Sequence, residues 1–306
     1  MVKTGKEPKV IAVVVTYNRL SLLTACLQAL RSNSPQAIIV VDNGCTDGTR
    51  EWLDTQSDLH VIHQKNVGGS GGFHRGMNEA IQMDADWIWC MDDDVKPHPD
   101  CLAHLLPYAI SSGAGILAPR RLMEGQVFTN DFRRYNLSNP FASMYQDRLK
   151  GQPVERPTTI AGTAFEGLFV SRQVVERIGL PNKDLFIFCD DTDYCLRAHL
   201  AGFSMLYIPK ALMDKKRFFS EETWAERQQK KKWKRSYQVR NSTYLNHHYG
   251  HNWAVRHLRG LFTLLGYLII IFFTAPVSRA YRWSDARPLI RAYQSGIREE
   301  LGVILL

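Results

Sequence analysis

The feature that most constrains this chain is an alternation, near its start, of short β-branched runs with one helical stripe. Residues 10–15 read VIAVVV, an unbroken apolar run of the kind buried on both faces of a sheet. Leu22, Leu23, Cys26, Leu27 and Leu30 then recur at helical spacing, and a second apolar run follows at 37–41. Strand, helix and strand in that order predict parallel pairing through a right-handed crossover, hence an α/β fold with a mostly parallel central sheet. Residues 59–63 and 87–91 are further strand candidates, with a helical segment over 72–83 between them. A length of 306 residues suffices for one large core, or for a catalytic domain with a smaller appendage.

Polar residues gather where the four strands end: Thr16-Tyr17-Asn18, Asp42-Asn43, Asn66-Val67-Gly68-Gly69 and Asp92-Asp93-Asp94. Ligands of open parallel sheets bind beyond the carboxyl ends of the strands, so the four clusters are expected to face one crevice. Adjacent carboxylates repel one another, and a site that holds three together usually supplies a cation. Oxygen-only ligation suits Mg²⁺ or Mn²⁺, which leave positions for water and substrate phosphates. The competing reading, a solvated acidic turn, is weakened by the apolar strand in front of the triplet. Residues 66–75 (NVGGSGGFHR) read as a glycine-rich loop entering a helix, where bare backbone N–H groups can approach phosphate. The loop is neither a dinucleotide fingerprint nor a Walker A motif, since His74 stands where a third glycine would be needed and no Gly-Lys-Ser/Thr ends it. Arg75 is placed to reach a diphosphate, or else is an ordinary surface arginine. Residues 190–193 (DDTD) form a second acidic cluster between Phe188 and Tyr194; a carboxylate in partly apolar surroundings can serve as a general base, and aspartates also start helices.

Further along, the pattern loosens over 116–150, resumes at 163–170 with a helix from about Ser171, and shows a strand at 204–208. The six cysteines form no CxxC pair and no cleavable leader is evident, which predicts reduced thiols in a cytoplasmic protein. Net charge is +8, and residues 226–235 (ERQQKKKWKR) concentrate it ahead of seventeen uncharged residues at 261–277. Arg256 and Arg259 precede that apolar stretch, and Arg279 and Arg282 follow it. Three placements fit the stretch: an interfacial helix, a buried core helix or a membrane span. His247, His248 and His251 invite a zinc reading but have no close cysteine or acidic partner in sequence.

The strings VVVTYNR, IIVVDNGCTDGT, NVGGSGGFHRGMNEA and WIWCMDDD, in that order, followed by FCDDTDYCLRAHLAGF, resemble the inverting family 2 glycosyltransferases over about residues 8–215. The triple aspartate with DDTDY is most similar to the galactofuranosyltransferase branch, with rhamnosyltransferases as near relatives. The resemblance implies a GT-A type nucleotide-binding fold over 1–215, with a donor-binding half at about 8–118 and an acceptor and catalytic half at 119–215. Residues 216–306 then form a C-terminal helical, membrane-associating region. It implies Thr16, Asn18, Asp42, Asn66, Gly69, Arg75, Asp92 and Asp93 at the nucleotide-sugar donor. It further implies Asp94 and Asp92 on the metal, Asp191 as general base and Asp190 orienting the acceptor. Relatives often carry a metal-ligating histidine after the next strand; here Asp214 is the candidate substitute.

Together these readings predict metal-dependent sugar transfer from a nucleotide diphosphate donor, UDP-galactofuranose favoured and dTDP-rhamnose the alternative. The acceptor is expected to be lipid-linked or a polysaccharide, met at the inner face of the cell membrane to which the protein attaches peripherally. An oligomer is compatible with the sequence, and no nucleic-acid partner is expected. A sugar nucleotidyltransferase would need a lysine- and glycine-rich phosphate loop near the N-terminus, which VTYNRLSLL lacks. A non-catalytic nucleic-acid or membrane-binding protein would account for residues 230–235 but leave both aspartate clusters without a purpose.

Overall fold

The computed structural model describes residues 7–128, 130–149, 154–217, 222–277 and 281–304. The chain runs β1 (Val10–Thr16), α1 (Leu20–Ser32), β2 (Ala37–Asp42), α2 (Thr49–Leu53), β3 (His60–His63), α3 (Gly68–Gln82), β4 (Trp87–Asp92), β5 (Val95–Pro97) and α4 (Cys101–Ser111). It continues β6 (Ile116–Met123), β7 (Gln126–Phe128), β8 (Phe132–Tyr135), β9 (Tyr145–Arg148), β10 (Thr158–Ile160), β11 (Leu168–Ser171), α5 (Arg172–Ile178), α6 (Asp190–Leu200) and β12 (Met205–Lys215). Three helices follow, α7 (Trp224–Tyr249), α8 (Gly260–Thr274) and α9 (Ala286–Ile297). By compactness the chain forms two units, one of Met1–Arg134, Asp147–Lys183 and Asp191–Arg217, the other of Tyr135–Gln146, Asp184–Asp190 and Phe218–Leu306. The partition falls close to residue 215, but two earlier segments group with the C-terminal helices.

In the first unit the sheet order is β10-β12-β6-β11-β4-β1-β2-β3, with β5 on β12 and β7 on β6. β4, β1, β2 and β3 are mutually parallel, as the apolar runs predict, whereas β11 runs antiparallel between β4 and β6. Both faces of β1 are buried, which is why its run has no alternation: Ile11, Val13 and Val15 enter one core, Val10, Ala12 and Val14 the other. The glycines of residues 68–76 prove to be helix rather than loop. A Cβ at Gly72 would stand 2.4 Å from Val15 Cγ1 and one at Gly76 2.4 Å from Val13 Cγ1, so these glycines let α3 lie directly on β1. β12 extends past the expected strand end at Ile208, because an irregularity between Ile208 and Leu212 absorbs Pro209 and pairing with β6 resumes. Residues 116–150, read as loosely structured, contain the well-buried start of β6 and three short strands.

In the second unit α8 packs Leu264 and Ile271 against Val239, Tyr281, Leu289 and Ala292. Ser171 holds the N-cap position of α5 in the first unit without making a side-chain cap bond.

Candidate active site

Parallel register puts the strand ends level: Thr16 lies opposite Asp42, and Val15 opposite Asp92. Just beyond, the carboxylates of the triplet divide. Asp93 is buried, accepting from Thr16 Oγ1 at 2.8 Å and from Arg19 Nη1 at 3.0 Å. Asp94 lies 3.5 Å from Arg19 Nη1 through Oδ2 and 3.7 Å from Lys215 Nζ through Oδ1. The second distance is too long for a hydrogen bond, and Asp94 Oδ1 has no such partner among the described residues. Lys215 also pairs with Glu166, Glu166 lies 3.5 Å from Arg121, and Arg121 makes two 2.7 Å bonds to fully buried Asp131. A chain of alternating charge therefore runs Arg19, Asp93 and Asp94, Lys215, Glu166, Arg121, Asp131.

Burial dominates the electrostatics. It pushes the carboxyl of Asp92 well above the usual range, reinforced by the charge of Asp94 and partly offset by Lys215. Asp93 and Asp94 are raised by the same cause despite Arg19 and Lys215. Burial would discharge Lys215, but Glu166 and Asp94 outweigh it and hold the ammonium above its ordinary value. The edge thus keeps more negative charge together than its own cations neutralise comfortably.

Asp214 is turned elsewhere: it lies 3.4 Å from His98 Nε2 and is half exposed. Successive side chains of a strand point to opposite faces, and of the pair Asp214 and Lys215 it is Lys215 that reaches Asp94. Among the described residues no three His, Cys, Asp or Glu side chains converge as a ready ligand set.

On the neighbouring strand end Asp42 is fully buried, with Cys45 N–H at 2.8 Å on one oxygen and His63 Nδ1 at 2.8 Å on the other. Burial opposes its ionisation, but the bonds from Cys45 and His63 hold its carboxyl below the usual range. Asn18 adopts a left-handed backbone, φ 53°, and its Oδ1 accepts from Thr46 N–H at 2.7 Å. Asn66 Oδ1 accepts from Gly68 N–H at 2.9 Å, while Asn43 donates to Gly68 O at 2.9 Å and accepts from Val67 N–H at 3.2 Å. The turn into α3 is thereby fixed, and at Gly69 the space a Cβ would need is open. Arg75 is half exposed, 3.7 Å from Glu79 one turn on.

The second acidic cluster starts α6. Asp191 Oδ1 accepts from the N–H of Thr192 at 2.6 Å, and Asp190 is the first helical residue. Asp193 is buried and paired with Arg197 at 2.9 Å, whose guanidinium also donates to the carbonyls of Ile178 and Leu180. The buried face of α6 rests on the strip that carries Glu166: Cys195 Sγ donates to Thr163 O at 3.4 Å, and Tyr194 lies 5.8 Å from Phe165, ring to ring. One strip thus carries Glu166, paired with Lys215, and Thr163 and Phe165, against Cys195 and Tyr194 of α6.

Arg19, Lys215, Glu166, Arg121 and Asp131 were not singled out by sequence reasoning. Glu166 and Arg121 offered the one available signal, a charge inside an apolar stretch (TAFEGLF, LAPRRL).

A mixed sheet whose parallel half ends in carboxylates, backed by a helix that opens on a second acidic pair, is the architecture of GT-A glycosyltransferases. Two solved structures share the fold. One is GalNAc-T7 with UDP, GalNAc and Mn²⁺ (TM-score 0.57, 11% identity, 81% of this chain and 52% of that one). The other is the mannosyltransferase PcManGT from Pyrobaculum calidifontis with GDP-Man and Mn²⁺ (TM-score 0.52, 15% identity, 96% and 88%). Residues 8–236 match the family described as Glycosyltransferase like family 2, and the chain belongs to that family. Galactofuranosyltransferase GlfT1 of Mycolicibacterium smegmatis is 31% identical over 200 residues, 63% of this chain and 66% of that protein. The dTDP-rhamnosyl transferase RfbF of Shigella flexneri is 26% identical over 206 residues, 66% and 67%. The match to GlfT1 spans just under two thirds of that relative's length.

Proposed function

We propose that the protein transfers a sugar, with inversion, from a nucleotide diphosphate donor to a hydroxyl of a lipid-linked or polysaccharide acceptor. The observation that carries this reading is the buried acidic edge, where Asp94 Oδ1 lacks a hydrogen bond and burial raises all three carboxyls of the triplet. Such an edge suits a ligand that brings positive charge. Hard carboxylate oxygens suit Mg²⁺ or Mn²⁺, and Asp94 with Asp92 would hold the ion, with donor phosphates and water completing a shell for which the protein offers few ligands. When bound, the ion would neutralise charge on the nucleoside diphosphate. Asp214, facing His98, is not needed in this reading.

The chain's own residues divide the remaining work. Thr16 and Arg19 hold Asp93 and so fix the triplet's backbone. Asn43 and Asn66 shape the turn at the start of α3, whose N–H groups suit phosphate, and Arg75 is free to swing from Glu79 toward it. Asp42, its oxygens engaged by Cys45 and His63, and Asn18, which shapes the neighbouring turn, take the nucleoside side of the donor in this reading. Asp191 accepts the acceptor's proton as the hydroxyl oxygen attacks the anomeric carbon and the bond from that carbon to the nucleoside diphosphate oxygen breaks, the diphosphate leaving with the electron pair; Asp190 orients that hydroxyl.

Similarity to galactofuranosyltransferases favours UDP-galactofuranose, with dTDP-rhamnose the second reading supported by RfbF. A panel of UDP-, dTDP- and GDP-sugars with Mn²⁺, scored for sugar transfer and hydrolysis by mass spectrometry, tests this. Turnover of UDP-galactofuranose is expected; turnover of dTDP-rhamnose alone would move the assignment, and no turnover of any donor would sink it.

The acceptor side is read as membrane-proximal, at the inner leaflet. Among the described residues one stretch, Val255–Thr274, is long and apolar enough to cross a bilayer. One stripe of α8 packs on α7 and α9, whereas Phe262, Leu265, Ile269, Phe272 and Phe273 are exposed along another, and Phe141 stacks on Phe262 at 5.6 Å. A helix glued along one side to polar α7 suits lying in the interface better than spanning. The polybasic run contributes less than its composition suggests, because Lys230, Lys232 and Arg235 are engaged by Glu222, Asp285 and Tyr267. Arg259 is buried on the carbonyls of Asn136 and Asn139, and Arg279 lies outside the described residues. Phe272→Ser with Phe273→Ser is expected to weaken sedimentation with anionic vesicles by about tenfold or more; unchanged partitioning would remove the membrane reading.

A further inference from the structure

Between Asp184 and Asp190 the backbone takes a path that its own side chains disfavour. Phe186, Phe188 and Cys189 have φ of 65°, 67° and 65°, the left-handed region that bulky residues avoid. Such a run persists only where its surroundings over-determine it. Those surroundings come from far along the chain. Asn241, fully buried on α7, directs its amide at the carbonyls of Leu185, Ile187 and Phe188, each at 2.9 Å. Its neighbour Arg240, also buried, donates to Leu185 O at 3.1 Å, to Asp184 O at 3.3 Å and to Gly302 O. Gly302 N–H in turn donates to Asp184 O at 2.7 Å, and Phe186 stacks on Tyr237 at 4.9 Å. α9 comes close enough to brace this arrangement at Gly296, where a Cβ would stand 2.6 Å from the Arg240 carbonyl.

A side-chain amide has two hydrogens, so three carbonyls converging on one amide nitrogen share them and define its place closely. The carbonyls have turned toward Asn241 because left-handed residues reverse the peptide direction locally. Two residues after Cys189 the chain reaches Asp191.

We propose that Asn241, assisted by Arg240, is the positioning residue for the general base, locking the 186–189 segment with its three left-handed residues so that Asp190 and Asp191 enter α6 in a fixed orientation. The proposal rests on the reading of Asp191 as that base. It gives the C-terminal helices a role in turnover separate from any role at a membrane. Truncating them would confound the two, since Gly302 belongs to the lock.

The test compares Asn241→Leu, which keeps the branching and heavy-atom count and removes the donors, with Asn241→Leu combined with Cys189→Gly. Glycine occupies positive φ without strain, so the second change lets the segment hold its path with less help. Asn241→Leu is expected to lower kcat by about 10²-fold, the scale of a misplaced reacting group, with nucleotide affinity by calorimetry within about twofold of wild type. The double variant is expected to regain about tenfold of the lost turnover. Turnover of Asn241→Leu within about threefold of wild type overturns the proposal, as does nucleotide affinity falling in step with kcat or a double variant no faster than the single. Should Asn241→Leu fail to fold, Asn241→Ser, which retains one donor, is measured in its place, alone and with Cys189→Gly, against the same criteria. Asp191→Asn measured beside them separates the two ideas: if it retains transfer, the base reading falls and this proposal with it. If it is inactive while Asn241→Leu is normal, the positioning role alone falls.

Discussion

The two acidic clusters are alike in sequence and unlike in surroundings. Asp93 and Asp94 are buried beside Arg19 and Lys215, whereas Asp191 lies at the start of α6, where its Oδ1 accepts from Thr192 N–H. Yet each cluster gives up one aspartate to anchorage: Asp93 to Thr16 and Arg19, Asp193 to Arg197. Among the other members are Asp94, one of whose oxygens makes no hydrogen bond within the described residues, and Asp191 at the helix start, the two to which the proposed function assigns the ion and the proton. A run of carboxylates is therefore no set of equivalent groups; the partners that the fold brings to each member make them differ.

Substituting single members of each group tests this difference, and Asp191 is expected to show the greatest effect. Asp191→Asn should lower kcat by about 10²- to 10⁴-fold with donor affinity unchanged, while Asp193→Asn should act on stability and leave turnover of the folded protein near normal. Equal kinetic loss in both would abolish the distinction. Next comes the buried end of the charge chain: Asp131→Leu leaves Arg121 uncompensated and should cost about 3–5 kcal/mol in urea denaturation. A loss of less than about 1 kcal/mol would show that Glu166 alone satisfies Arg121.

The smallest effect concerns the acidic edge of Asp92, Asp93 and Asp94 and has the opposite sign. Asp92, Asp93 and Asp94 have carboxyl pKa values raised by burial, so the folded protein binds protons there more tightly than the unfolded chain. Their contribution to stability is complete below the unfolded carboxylate range and is lost as pH rises through the higher folded values. Without donor or metal, Asp94→Asn should therefore stabilise the protein at neutral pH by about 0.5–2 kcal/mol and flatten the fall in melting temperature with rising pH. Destabilisation by this change would mean that Lys215 and Arg19 already satisfy the carboxylate.

The similarity of the clusters was visible from composition, but their difference was not. Asp93 and Asp94 are neighbours, and only the approach of Thr16 and Arg19 on one side and Lys215 on the other tells them apart. Asp214 illustrates the limit well: sequence places it one residue from the cation beside Asp94, and strand alternation sends it to His98. The glycines of residues 68–76 were legible as special positions, but Gly72 and Gly76 serve helix-to-sheet contact rather than phosphate.

The parallel half of the sheet, the edge at which its strands end and the apolar character of α8 are all written in the order of residues. These follow from hydrophobic periodicity, which acts between near neighbours along the chain. The charge chain from Arg19 to Asp131 and the hold of Asn241 on the segment before Asp191 arise from tertiary contacts alone. Lys215 meets Glu166 across 49 positions and Asn241 meets Leu185 across 56, contacts that exist once register, an irregular strand and helix packing have brought the partners together. A hydrogen bond or ion pair depends on sub-ångström placement, and no local pattern of residue types encodes that distance.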